Sequence, residues 1–399
     1  MAGITEPMRI VLTTESYLPY ISGVTISVES LARGLGARGH EVLVVAPQPA
    51  AGAVPVETGA RGPQPRVAWL ASYQLPRVVP PMYRMPWPNP WSSALRTATA
   101  FAPDVVHAHS PFVTGVFAAR LARATSAPLV FTHHTRFADY GHYLGPLARL
   151  GATGLQAYLT RFWRACGAVI APSSDMAAEM RGRGASGRID VIPTGVDVAA
   201  IRETGAVDPR PQAGWRPDAV VVASLGRLAP EKSPMLLLDA ITATPGAFLL
   251  IIGGGPLEAE LRRRAERSDL DGRVMFTGAM PRPEAFARLK GADLFAFASR
   301  TETQGLVLAE ALAAGLPAVA LAGPGVADSV RHGVDGVIVA AEPESTRAAR
   351  LGAELTRMVG DADERARMAA AAHDGAERFD IGRRIGEVEA LYRSLRQDA

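Results

Sequence analysis

Short runs of apolar, largely β-branched residues alternate along this chain with stretches whose apolar positions recur at helical spacing, and this alternation constrains the fold most. Residues 8–14 read as a buried strand, followed by a loop holding Pro19, Ser22 and Gly23. Val24, Val28, Leu31 and Leu35 then mark a helix, and Glu41–Ala46 a second strand. Asp104–His107, Leu129–Thr132, Ala168–Ala171 and Ile189–Ile192 continue the series through the first half. Val220–Ser224, Phe248–Ile252, Val274–Thr277, Leu294–Ala298 and Ala318–Leu321 repeat it in the second. Repeated βα units predict parallel sheets covered on both faces. A chain of 399 residues exceeds one ordinary core. The expected fold is therefore α/β, with two Rossmann-like, doubly wound domains facing across a cleft and a ligand at the carboxyl ends of their strands. The expected domains are 1–200 and 201–380, with 381–399 a C-terminal helix returning to the first and the Pro-, Gly- and charge-rich stretch 198–217 as linker.

Several classes are excluded. No apolar run reaches the roughly 18 residues of a membrane-spanning helix, and the opening residues lack a secretory signal. The single cysteine, Cys166, permits no intrachain disulfide, so a cytoplasmic location is expected. Residues 1–199 carry 17 arginines against 11 acidic residues, an excess that suits either an anionic partner surface or ordinary solvation. No basic run interleaved with aromatics points to nucleic acid. Gly34-Leu-Gly36-Ala-Arg-Gly39 matches a dinucleotide fingerprint but falls between a helix and a strand, the reverse of the required order, so a nicotinamide or flavin enzyme is disfavoured.

The chemistry concentrates in a few segments. In LFAFASRTETQGLVLAEALAAGLP, residues 294–317, Glu302 stands at a helix entrance and Glu310 a little over two turns further on. The N–H groups of Thr303, Gln304, Gly305 and Leu306 would make an anion site there, with the carboxylate gripping sugar hydroxyls. Equally, Glu302 would complement the helix dipole and Glu310 would be a solvated position. After another strand, Gly226, Arg227, Glu231 and Lys232 offer two cations to the same phosphates. The chain holds only two lysines, Lys232 and Lys290, against 40 arginines, which hints at a need for a compact ammonium at Lys232, although Lys290 has no evident role. Gly253-Gly254-Gly255 would let a ligand approach backbone, or simply turn the chain. Five of the eight histidines fall between 107 and 142, and four of them, His107, His109, His133 and His134, stand at strand ends. His107, His109, His133 and His134 are read as hydrogen-bonding to sugar hydroxyls, with His109 on the acceptor side, in preference to a metal site. Asp269-Leu-Asp271 and Asp361-Ala-Asp363 are read as solvated turns, so no metal or cofactor is required.

Gly23, His134, GRLAPEKS, IIGGGP, FTG and ETQGLVLAE together resemble family 4 of the retaining GT-B glycosyltransferases, over nearly the whole chain. The resemblance implies that the second domain holds a UDP- or GDP-linked sugar, whose hexosyl group passes with retention of configuration to a hydroxyl acceptor. Arg227 and Lys232 would bind the diphosphate, Glu302 the sugar hydroxyls, Glu310 the ribose, and His134 the sugar near its anomeric carbon. Gly23, Gly226, Gly254, Leu306 and Val307 complete the donor-binding set. THHTRFADYGHYLG most resembles enzymes that glycosylate diacylglycerol-type lipids, which would put Asp139, Tyr140 and Tyr143 on the acceptor side. Met82, Tyr83, Trp87 and Trp91 beside Arg84, and a helix over 146–164 with Phe162, Trp163 and several arginines, suit a protein peripheral on the inner face of the membrane. The alternatives are a soluble small-molecule or polysaccharide acceptor, a nucleotide-sugar epimerase on the same fold, and a non-catalytic carbohydrate-binding protein.

Overall fold

The computed structural model describes residues 6–54, 60–74, 84–89, 92–136, 148–299 and 301–397, without the side chains of 148–152. The chain divides into two compact units, Met1–Thr194 with Ile381–Ala399, and Gly195–Asp380.

In the first unit the strands are β1 (Arg9–Thr13), β2 (Glu41–Pro47), β3 (Arg66–Leu70), β4 (Ser72–Gln74), β5 (Arg84–Pro86), β6 (Val105–Ala108), β7 (Leu129–Thr132), β8 (Ala168–Ala171) and β9 (Ile189–Val191). Seven of them form one parallel sheet in the order β3-β2-β1-β6-β7-β8-β9, while β4 and β5 make a separate antiparallel ribbon. Every residue of β6, β7 and β8 is buried, as a strand covered on both faces requires. One face packs against the helices Val113–Thr125 and Ala148–Arg164, whose Phe117, Leu121, Phe162 and Trp163 join the core. Phe162 and Trp163, read from sequence as suited to a membrane surface, are thus interior residues. The other face is covered by the helices Gly23–Ala37 and Ile381–Gln397, through Val28, Leu31, Leu35, Ile385, Leu391 and Tyr392. Gly34 lies inside the first of these helices, where a Cβ would stand 2.0 Å from the Ile385 side chain. Close helix packing thus accounts for the first glycine of the Gly34–Gly39 run.

The second unit contains β10 (Val220–Leu225), β11 (Ala247–Ile252), β12 (Val274–Phe276), β13 (Leu294–Phe297), β14 (Ala318–Leu321) and β15 (Gly336–Val339). Their order, β12-β11-β10-β13-β14-β15, is that of a doubly wound dinucleotide fold, with the strand order reversing between β10 and β13. Cores of apolar residues cover both faces. Residues 198–217, expected as a linker, instead carry the helices Val198–Glu203 and Arg210–Ala213, and bury Val198, Ile201 and Trp215 in this unit. Lys290 explains itself here. Its ammonium donates to the carbonyls of Arg202, at 2.8 Å, and Thr204, the free C-terminal acceptors of that first helix.

Candidate functional site

At a doubly wound sheet's reversal point the flanking loops diverge, leaving room for a ligand at the carboxyl ends of the strands. In the second unit those loops follow β10 and β13. The first carries Gly226, Arg227 and a single 3-10 turn, Pro230–Lys232; the second carries Glu302. Lys232 Nζ donates to Glu302 Oε1 across the reversal point. Ser299 Oγ and Thr301 Oγ1 both donate to the Glu231 carbonyl, each at 3.1 Å, so backbone and side chains tie the two loops together. Arg227, half exposed, stands 3.8 Å from Glu231. The structure therefore joins Lys232 and Glu302 directly, with Arg227 on the same loop.

Neighbouring backbone closes around them. Gly253 has φ +128°, and a Cβ there would lie 2.1 Å from the Gly226 carbonyl oxygen, so only glycine lets the loops after β10 and β11 meet. Leu228 N donates to the Gly254 carbonyl at 3.0 Å in the same contact. On the other side Glu302–Gly305 leads into the helix Leu306–Ala313, whose N-terminus is formed by Gly305 at φ +74°. The first-turn N–H groups of that helix carry the positive end of its dipole. Gln304 is buried, its carbonyl accepting from Ser329 Oγ, and Gly325 packs directly on its backbone.

Glu310 is 1% exposed and accepts from Arg282, which also stacks 5.0 Å from the Phe286 ring centre. A solvated position for Glu310 is thereby excluded. Sequence reasoning missed Arg282 and Gly325. Nothing distinguished Arg282 among 40 arginines; Gly325, in a Gly-Pro-Gly turn after β14, was at least visible as a turn.

The first unit has its own reversal point, between β1 and β6. Glu15, after β1, accepts from Ser110 Oγ at 2.8 Å and from Thr114 N at 3.2 Å, at the N-terminus of the helix Val113–Thr125. Burial raises its pKa, against the opposing effect of those bonds. Gly23 is the first residue of the helix Gly23–Ala37, capped by Ser22 accepting from Thr25 N.

Beside this point the histidines form one stack. His107 bonds Tyr392 OH through Nδ1 at 2.6 Å and Thr132 Oγ1 through Nε2 at 2.7 Å. Its ring centre is 4.1 Å from that of His109, and His109 Nδ1 lies 2.8 Å from His134 Nε2. His133 points its ring at Phe131 and Trp163, in the core. Burial lowers all four pKa values: to about 3 for His107 and His133, to about 4 for His134, and well below the ordinary 6.5 for His109. They are neutral donor-acceptor groups near neutral pH. Among the described residues no group of three or more His, Cys, Asp or Glu side chains is placed to hold a metal ion. Asp269 pairs with Arg264 at 3.0 Å, and Asp361 caps the helix Ala362–Asp374. Tyr83, Asp139, Tyr140, His142, Tyr143, Met82 and Trp91 lie outside the described residues, whereas Trp87 is exposed and Arg84 is bonded to Ser72.

Two family descriptions cover nearly all of the chain: glycosyltransferase family 4 over residues 21–200 and glycosyl transferases group 1 over 208–374. The alpha-monoglucosyldiacylglycerol synthase of Acholeplasma laidlawii is 30% identical over 326 residues, 78% of this chain and 80% of that protein. The chain belongs to glycosyltransferase family 4. A GDP-mannose-dependent alpha-mannosyltransferase of Corynebacterium glutamicum is 29% identical over 84% of this glycosyltransferase and 78% of its own length. In fold the glycosyltransferase resembles Anabaena HepE, crystallised with UDP and glucose, at a TM-score of 0.71 and 21% identity over 97% of this chain and 100% of that one. A sucrose-phosphate synthase from Thermosynechococcus elongatus aligns at 0.76, with 20% identity over 98% of this chain and 100% of that one. The two Rossmann-like units are those of a GT-B glycosyltransferase.

Proposed function

We propose that this glycosyltransferase moves a hexosyl group, with retention of configuration, from a UDP- or GDP-linked sugar to a hydroxyl of a diacylglycerol-type lipid or other glycolipid. The observation that carries the reading is the Lys232–Glu302 pair at the reversal point of the second unit. Lys232 and Glu302 are 32% and 19% exposed, so the pair stabilises the protein by about 1 kcal/mol or less. An arriving diphosphate outbids a single carboxylate for the ammonium, and the released Glu302 turns to the sugar hydroxyls. Arg227 and the N-terminus of Leu306–Ala313 add positive potential, with Gly226, Gly254, Thr303, Gln304, Gly305 and Val307 providing close-approach backbone and Glu310 the ribose contact. This set stabilises a departing diphosphate without a metal. The acceptor hydroxyl attacks from the face the diphosphate leaves, and a diphosphate oxygen takes its proton. His134 hydrogen-bonds the donor sugar, Gly23 gives the donor a close approach to backbone, and the acceptor belongs to the first unit, with Asp139, Tyr140 and Tyr143; His109, 4% exposed and bonded to His134, is too buried for the acceptor contact expected of it.

A lipid acceptor is supported by the synthases of glucosyldiacylglycerol among the relatives and by the arginine excess of residues 1–199. No described helix is long and apolar enough to cross a membrane. A lipid acceptor and the arginine excess suit an enzyme in the cytoplasm, peripheral on the membrane's inner face. A soluble acceptor is the second reading, favoured by D-inositol 3-phosphate glycosyltransferases at 30% identity. Radiolabelled UDP-glucose and GDP-mannose, each offered with diacylglycerol vesicles and with a soluble-acceptor panel, separate these readings. An α-linked glycolipid made from an α-linked donor supports the proposal. Isomerised donor in the absence of acceptor identifies an epimerase, and binding without turnover on any acceptor a carbohydrate-binding protein.

A further inference from the structure

The histidine stack has one polar contact that the reaction as described leaves unused, the 2.8 Å approach of His109 Nδ1 to His134 Nε2. The two rings stack with an interplanar angle of 20°. Two facing imidazole nitrogens at that distance hold one proton between them, so one ring donates and the other accepts. Burial keeps both rings neutral, so each has a single N–H to place.

The far nitrogen of His109 decides between the two arrangements. His109 is 4% exposed, and its Nε2 is buried with no hydrogen-bond partner among the described residues. His107, stacked 4.1 Å away, already directs both of its nitrogens to Tyr392 and Thr132. If His134 donated, the proton of His109 would sit on Nε2, as a buried N–H with no acceptor among the described residues. If His109 donates, Nε2 carries only a lone pair, and under-satisfied buried acceptors are commoner than orphaned buried N–H groups. His109 is therefore the donor. His134 Nε2 accepts, and the proton of His134 must lie on Nδ1.

We propose that His109 is a positioning residue that fixes the tautomer of His134, so that the half-buried His134 offers Nδ1–H as a hydrogen-bond donor to an oxygen of the donor sugar. The sugar contact rests on the function proposed above; the tautomer does not. His134 then stabilises an oxygen and does not deprotonate the acceptor, whose proton leaves on the diphosphate. A histidine that presented a bare Nδ1 could only accept from a sugar hydroxyl and could not donate to a sugar oxygen.

The test is the 15N spectrum of the full chain labelled at histidine, without ligand, with the His134 signals identified by their loss in His134→Ala. A protonated Nδ1 and a bare Nε2 are expected. His109→Phe keeps an aromatic ring in the stack but has no N–H; His134 should then populate both tautomers, and kcat should fall about tenfold, as for one lost hydrogen bond, with donor KM nearly unchanged. A wild-type His134 protonated on Nε2 overturns the proposal, and so does an unaltered Nδ1–H tautomer in His109→Phe. Should that variant fail to fold, the wild-type spectrum alone still decides the tautomer. The predicted spectrum together with a fully active His134→Ala enzyme would overturn the sugar contact and leave the tautomer standing, so the two parts fail separately.

Discussion

Lys232 and Glu302, 70 residues apart in the chain, meet as an ion pair where the strand order of the second unit reverses. Because both ends are partly exposed, Lys232→Ala should change stability by about 1 kcal/mol or less. Donor binding should suffer more, with affinity falling about tenfold or beyond as one charge-assisted phosphate contact is lost. Glu302→Gln should leave donor affinity nearly intact and lower kcat by about 100-fold, the scale of losing a preorganised polar contact to the reacting group. Steady-state kinetics with calorimetric donor titration separates the two effects.

Gly325 sits at φ +72° with no room for a side chain: a Cβ would come within 2.7 Å of Gln304 Cα. Gly325→Ala should therefore push residues 302–305 out of place. The expected outcome is a stability loss of about 1–3 kcal/mol from backbone strain, together with loss of nucleotide-dependent thermal stabilisation. A variant that melts lower yet still gains the wild-type increment from a bound nucleotide would show that the Gln304 segment does not shape the donor site.

Arg282 and Glu310 predict an asymmetry. Arg282 is 31% exposed at its side chain and can turn to water, whereas the Glu310 side chain is 2% exposed and cannot. Arg282→Ala strands a buried carboxylate and should cost about 3–5 kcal/mol. Glu310→Gln keeps a hydrogen-bond acceptor and should cost only about 1–2 kcal/mol. Chemical denaturation of both variants checks the order.

The alternation of apolar runs with helical repeats carried the fold, because strands buried on both faces must be apolar along their whole length. Leu129–Thr132, Ala168–Ala171 and Ala318–Leu321 have the boundaries expected from sequence. Strand β3 escaped because Arg66-Val-Ala-Trp-Leu lies at a sheet edge, with Trp69 exposed, and so lacks that signature. The helices within 198–217 escaped because their six and four residues are too short to show a period. Within the site, the rarity of lysine marked Lys232, and the spacing to Glu310 marked Glu302. Glu15 had no such mark, since its role depends on Ser110 and Thr114, about a hundred residues away. The pairing of His109 with His134 was equally invisible, since only the register of β6 beside β7 brings the two strand ends together.

Glu389 makes acid stability a test of the C-terminal helix. Burial alone would raise its pKa, but hydrogen bonds from Arg393 and Arg38, with the nearby His40, hold it at about 2, below the usual 4.5. A depressed carboxylate stabilises the fold above its unfolded pKa, and that contribution is lost as pH falls through the folded value. The wild-type protein should therefore lose stability between about pH 4.5 and 2 more steeply than Glu389→Gln. Melting curves across that range should converge at the acid end. Parallel curves would show that the Arg38–Glu389–Arg393 cluster does not hold Ile381–Gln397 in place.

A sugar diphosphate seated in the second unit would lie on Arg227, Lys232 and the backbone beside Glu302. Calorimetric titration of UDP and GDP into the wild-type chain and into the Arg227→Ala/Lys232→Ala double variant tests it most directly. The wild type should bind at least one of them, with an affinity at least about 100-fold weaker in a natively folded double variant, the loss of two charge-assisted contacts. Equal affinity in that variant, or no binding of either nucleotide by the wild type, would contradict it.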